Sequence, residues 1–229
     1  MRVQLIRRHG RSATGGVRVL AARRGEPTWS VESVVLGDVE ELLELPLERL
    51  ATGHGLGLPA YDGPLWLVCT NGRRDLCCSE RGRPVAAALA ARWPDATWET
   101  THLGGHRFAA TLLALPSGVA LGRLDPVAAA AAVEELVAGR LPLAHTRGRA
   151  GLSPAAQVAE LRLRADLGEP GLAGVRTVGV AGSDVLLDAT GGRWRVPVTP
   201  VDEAPRRQSC GDAVGKPTTR WQAGASSPA

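Results

Sequence analysis

Two cysteines and two histidines stand out in a chain otherwise poor in special side chains. Eight residues separate Cys69 from Cys78, twenty-three separate Cys78 from His102, and three separate His102 from His106. Two thiolates and two imidazoles form a soft donor set that suits two metal centres. One is a tetrahedral zinc ion. The other is a [2Fe–2S] cluster with cysteines on one iron and histidines on the other. Eight residues is long for a zinc finger, which prefers two to four between cysteines, whereas a binuclear cluster is wider and tolerates longer ligand loops. Disulfide exchange of the Cys-x-x-Cys type is disfavoured because that spacing is absent.

These side chains need elements that bring them to one place. Pro64-Leu65-Trp66-Leu67-Val68 is a continuous apolar run, which predicts a buried strand delivering Cys69 to a sheet rim. Asn71 to Asp75 reads as a loop leading to Cys78. Ala96 to Thr100 predicts a second strand delivering His102. Gly104 and Gly105 favour a tight loop that turns both imidazoles to one centre and leaves backbone N–H groups free to approach anionic sulfur. A helix is expected over Pro84 to Arg92 with its proline near the first turn, a hairpin over Thr111 to Leu121, and a helix capped by Asp125-Pro126. The resulting β-α-β-β-β-α order is that of a thioredoxin-like layered domain.

Around this unit, residues 61–145, the chain divides into an N-terminal α/β unit, residues 1–60, and a C-terminal extension, residues 146–229. In the first, Arg2 to Arg7, Val17 to Ala22 and Val31 to Leu36 read as strands, and Asp38 caps a helix through Leu43. In the last, Ser153-Pro154 opens a helix to Asp166, and short strands follow near Val175 to Val180, Val185 to Leu187 and Trp194 to Val198. The polar tail beyond Val201 is expected to be partly disordered.

Leu67-Val68-Cys69-Thr70-Asn71-Gly72-Arg73-Arg74-Asp75-Leu76-Cys77-Cys78, with Trp98 to Ala109 around His-Leu-Gly-Gly-His, resembles the sucrase/ferredoxin-like family. So do Leu115-Pro116-Ser117-Gly118, Gly122-Arg123-Leu124, Arg147-Gly148-Arg149 with Gln157, and Ser209-Cys210-Gly211. The resemblance implies an α/β, thioredoxin-like ferredoxin domain. It implies Cys69, Cys78, His102 and His106 as ligands of a [2Fe–2S] cluster, and an electron carrier serving a redox partner protein. Zinc in the same fold is the alternative. Relatives usually carry an extra N-terminal segment with a Cys-Ser motif ahead of the strand that here is Val3 to Arg7. The N-terminal unit is therefore expected to lack its first elements.

Other residues take plainer readings. Cys77 is expected to be a buried or reserve thiol, and Cys210 a free thiol in the tail, with a role covering the cluster as the alternative. His9, His54 and His145 are expected to be solvated. Asp75 reads as an acceptor inside its own loop. The six tryptophans are expected in the core, with Trp98 near enough in sequence to pack beside the cluster. Arg73, Arg74 and Arg107 read either as solvated charge or as compensation for cluster charge and docking for an acidic partner.

Composition narrows the function classes. The 229 residues are 44% hydrophobic and 22% charged, which is ordinary for a globular chain. Net charge is +4, but Lys216 is the only lysine, and the arginines are scattered in pairs. One Phe and one Tyr leave little aromatic surface for stacking nucleic-acid bases, so no nucleic-acid partner is expected. No apolar run approaches a membrane span and no signal peptide is legible, so a cytoplasmic setting without a membrane partner is expected. Glycoside hydrolysis needs two placed carboxylates in a sugar cleft, and no such pair stands out.

Overall fold

The computed structural model describes residues 2–10, 15–25 and 28–229. In chain order its elements are β1 (Ile6–Arg7), β2 (Val17–Arg23), β3 (Ser30–Leu36), α1 (Glu48–Ala51), β4 (Leu65–Cys69), α2 (Leu76–Arg92), β5 (Thr97–Thr100), β6 (Leu112–Leu115), β7 (Val119–Leu121), α3 (Pro126–Val137), β8 (Thr146–Arg149), α4 (Pro154–Leu167), β9 (Val175–Ala181), β10 (Asp184–Ala189), β11 (Gly192–Arg206), β12 (Lys216–Ala223) and β13 (Ser227–Pro228). The fold is mixed α/β.

A six-stranded sheet in the order β1-β5-β4-β6-β7-β8 carries the site. Strand β4 runs parallel to β5 and antiparallel to β6. All five residues of β4 are buried, because both faces of the sheet are covered. Trp66 and Val68 face α2 and α3, where they meet Val85, Leu89, Ala129 and Val133. Leu65 and Leu67 face the other way, against Val31 and Leu20 of the antiparallel β2–β3 pair and Trp29 just before β3. This alternation is the pleat of the strand expressed as two cores.

Strand β1 forms one edge, antiparallel to β5, and β8 forms the other, antiparallel to β7. A second sheet, β12-β11-β10-β9, packs under α4, with Ala156, Ala159 and Leu163 against Val185, Leu187 and Val196. Arg149 joins the two bodies. It donates to Glu160 at 2.9 Å and to the Ser117 carbonyl at 3.1 Å.

Several expectations are corrected. Helix α2 begins at Leu76 rather than Pro84, so Cys77 and Cys78 lie in its first turn and Pro84 lies in its interior. Gly82 permits this placement, because any side chain there would strike the Cys69 carbonyl. Residues 38–43 form no α-helix: Glu40–Glu44 is a 3-10 turn, and Asp38 Oδ1 accepts from the Glu40 N–H beside it. The Arg2 to Arg7 stretch pairs only at Ile6 and Arg7. The tail is ordered, because β11 runs to Arg206 and pairs with β12 from Val198 onward. The helix caps at Asp125 and Ser153 are as expected, each side chain accepting from a backbone N–H of the first turn.

Candidate metal centre

Strand β4 ends at Cys69, and the Asn71–Asp75 turn carries the chain straight into α2. The turn is closed by the Asp75 N–H donating to the Asn71 carbonyl at 3.2 Å. Cys78, in the first turn of the helix, lies close to Cys69, and both are buried. After β5, the His102–His106 loop crosses above them. Gly104 and Gly105 adopt φ of 93° and 65°, left-handed values that favour glycine. His106 then opens a short 3-10 turn.

This loop is held from both sides. Arg2 donates to the carbonyls of His102 and Leu103. Arg147 lies against Gly105, where a side chain would collide with its guanidinium. Arg107, Arg123 and Arg147 surround the Phe108 ring at 4.7, 5.1 and 4.8 Å. Gly105 and Gly122 are the sequence signals of this packing, since both leave room for Arg147.

The four expected residues meet in one place. The sulfurs of Cys69 and Cys78 and a ring nitrogen of His102 lie within 4.8 Å of one another. Cys78 Sγ is 4.0 Å from His102 Nδ1, and His102 Nε2 is 3.2 Å from His106 Nδ1. The two thiols shift each other in opposite directions. A hydrogen bond with Cys78 pulls Cys69 down to about 5 from 9.0, against burial, aided by the backbone N–H groups of Asn71 and Leu103 and by His102. The same bond, with burial, pushes the Cys78 thiol up. A cation would take the place of the thiol protons. His106 Nε2 is buried with no hydrogen-bond partner. Two buried sulfurs close to a ring nitrogen, with an unpartnered imidazole nitrogen on the neighbouring His106, fit a thiophilic metal or iron–sulfur group.

Asp75 has a role its loop does not suggest. It is 2% exposed. Its Oδ2 faces His106 Nδ1 at 3.3 Å, and its Oδ1 accepts from Ser209 Oγ, from the Cys210 N–H at 3.1 Å and from the Cys210 thiol at 3.3 Å. Burial acts to raise its pKa, but the bonds from Ser209 and Cys210 outweigh it and hold the carboxyl below the usual range. Cys210 is thus an exposed thiol seated at the centre's edge.

Two histidines depart from their expected solvated state. His9 Nδ1 lies 2.7 Å from Glu99, a buried carboxylate that also accepts from Arg7 and, at 2.9 Å, from Thr70 Oγ1. His145 Nδ1 is buried. Trp98 belongs to the core beneath the β2–β3 pair, with Arg8 over its ring at 3.7 Å.

A family model described as sucrase/ferredoxin-like matches residues 26–148, which include β4, α2, β5 and the histidine loop. No curated protein and no solved structure matches the chain.

Proposed function

Since the chain belongs to the sucrase/ferredoxin-like family, we propose that it is an electron-transfer protein binding a [2Fe–2S] cluster through Cys69, Cys78, His102 and His106. The observation that carries this reading is the meeting of two buried sulfurs with a His102 ring nitrogen, all within 4.8 Å of one another, beside His106, whose Nε2 is buried without a hydrogen-bond partner. The cluster, when bound, supplies one-electron oxidation and reduction. The strand order β5-β4-β6-β7, with β6 antiparallel to its neighbours, supports a thioredoxin-like core.

The chain's own residues set up the site. The Leu103 and Asn71 N–H groups stabilise negative charge on Cys69. Asp75 Oδ2, 3.3 Å from His106 Nδ1, is placed to hold that imidazole by its charge, and His106 Nε2 has no hydrogen-bond partner. Among the described residues, no carboxylate lies within ion-pair distance of Arg81, Arg107, Arg123 or Arg147. Their charge is left to offset that of the centre and to receive an acidic redox partner. Among the described residues, no helix is long and apolar enough to cross a membrane. The proposed carrier is a cytoplasmic one.

A second reading is a zinc-stabilised module. The closeness of Cys69, Cys78 and His102, within 4.8 Å, suits a single tetrahedral ion as well. Metal and sulfide analysis of the purified protein separates the two. A reddish-brown protein with equal iron and acid-labile sulfide is expected, bleached by Cys69→Ser and by Cys78→Ser but not by Cys77→Ser. A colourless protein with one equivalent of zinc would establish the second reading.

A further inference from the structure

Two thiols remain outside this centre. Cys77 lies in the first turn of α2, half-buried, and Cys210 lies exposed in the turn between β11 and β12. Their sulfurs and an Asp75 carboxylate oxygen all lie within 4.8 Å of one another. The approach is built, because both sides are anchored.

The Cys210 turn is fixed from within by Asp212 Oδ2, which accepts from the N–H groups of Gln208 at 2.9 Å and Ser209 at 2.8 Å. It is fixed from outside by Asp75, which accepts from Ser209 and Cys210. The Gln208 side chain accepts from Arg107 at 2.8 Å and donates to Thr218 at 2.7 Å. Cys77 is set by the helix backbone, and its thiol donates to the His106 carbonyl at 3.6 Å. The two sulfurs lie within 4.8 Å of each other, against about 2.05 Å in a disulfide. A metal ion is a poorer occupant, because Asp75 Oδ1 already accepts from three donors.

We propose that Cys77 and Cys210 form a peroxide-reactive thiol pair that closes to a disulfide and ties the β11–β12 turn to α2. The oxidant is a peroxide. Exposed Cys210 attacks one peroxide oxygen, the O–O bond breaks, and with hydrogen peroxide the products are a Cys210 sulfenic acid and one water. The Cys77 sulfur then attacks the Cys210 sulfur. The S–S bond forms, the S–O bond breaks, and the hydroxyl leaves with the Cys77 proton as a second water. Two thiols are oxidised by two electrons and one peroxide is reduced to two waters. This pairing rests on Asp75, Cys77 and Cys210 and holds whatever group Cys69 and Cys78 bind.

The test treats the purified full chain with equimolar hydrogen peroxide, caps remaining thiols with an alkylating reagent and cleaves after arginine without reduction. Cleavage releases Cys77 in residues 75–81 and Cys210 in residues 208–220. Mass spectrometry is expected to show these two peptides joined, two hydrogens lighter than their sum, in the wild type. The joined species should vanish in Cys77→Ser and in Cys210→Ser. Its persistence in Cys77→Ser would assign the bond to Cys78 and overturn the pairing. So would a wild type in which Cys210 passes to sulfinic acid while Cys77 stays alkylatable, or one that holds zinc through both thiols and yields no joined peptide. An iron-free protein that still yields the joined peptide would overturn the cluster reading and support this one.

Discussion

Asp75 Oδ2 lies 3.3 Å from His106 Nδ1, while Oδ1 of the same carboxylate accepts from Ser209 and Cys210. One buried side chain therefore connects a candidate ligand to a turn 134 residues further along the chain. Asp75→Asn keeps the shape and removes the charge. We expect it to cost about 1–3 kcal/mol, the range for losing charged hydrogen bonds, read as a lower urea midpoint. Metal affinity should fall about 10–100-fold, as for other partners of ligating histidines, read by competition with a chelator. Unchanged retention would show that His106 is oriented by its loop alone.

Gly105 tests that loop directly. Its φ of 65° and the Arg147 guanidinium against it leave no room for a methyl group. Gly105→Ala should strain the backbone by about 1–2 kcal/mol and push Arg147 off the Phe108 ring. The expected readout is faster loss of metal to a chelator with little change in far-UV circular dichroism. Gly139→Ala, at a similar φ of 74° but with open space around it, is the control for strain alone.

Glu99 gives the fold an acid limit. Burial acts to raise its pKa, but bonds from Arg7, His9 and Thr70 outweigh this and hold it below its ordinary 4.5. A depressed carboxylate contributes stability above its unfolded value, and that contribution is lost as pH falls through the folded value. Glu99→Gln should destabilise the protein by about 1–3 kcal/mol near pH 7. The gap between wild-type and variant unfolding midpoints should narrow steadily below about pH 4.5. A gap that stays constant into that acid range would mean that the charge of Glu99 contributes nothing.

Arg164 is fully buried on α4. It bonds Glu160 at 2.9 and 3.0 Å and also donates to the carbonyls of Glu169, Gly171, Leu172 and Val175. Arg164→Met should cost about 3–5 kcal/mol, because it breaks a buried pair and leaves Glu160 to Arg149 alone. Calorimetry should show a lower melting temperature. An unshifted transition would mean that the pair's attraction only offsets its desolvation.

Strand β4 was legible because a strand covered on both faces is apolar at every position, and Pro64 marks its start. The β6–β7 hairpin was legible from Pro116-Ser117-Gly118. The start of α2 was hidden, because Cys77, Cys78 and Ser79 are weak helix formers and Gly82 and Pro84 look like breaks. Gly82 is instead where the helix backbone passes over Cys69. The end of β11 beyond Val201, and β12, looked like a disordered tail, because much of each strand faces solvent and pairing between strands leaves no local signature. The four ligand candidates announced themselves by residue type. Asp75 did not, because its partners at Ser209 and Cys210 are remote in sequence, and local spacing carries no trace of such a contact.

That remoteness also has a meaning in time. At a synthesis rate of about 5–20 residues per second, the interval between making Asp75 and making its partners 134 residues later is roughly 7–27 s. The six-stranded sheet has all its strands once Arg149 has been made, well before Ser209. On the ribosome, therefore, every residue of the six-stranded sheet is made seconds before the Ser209 and Cys210 groups that bond Asp75. During that interval the Asp75 carboxylate is without those donors.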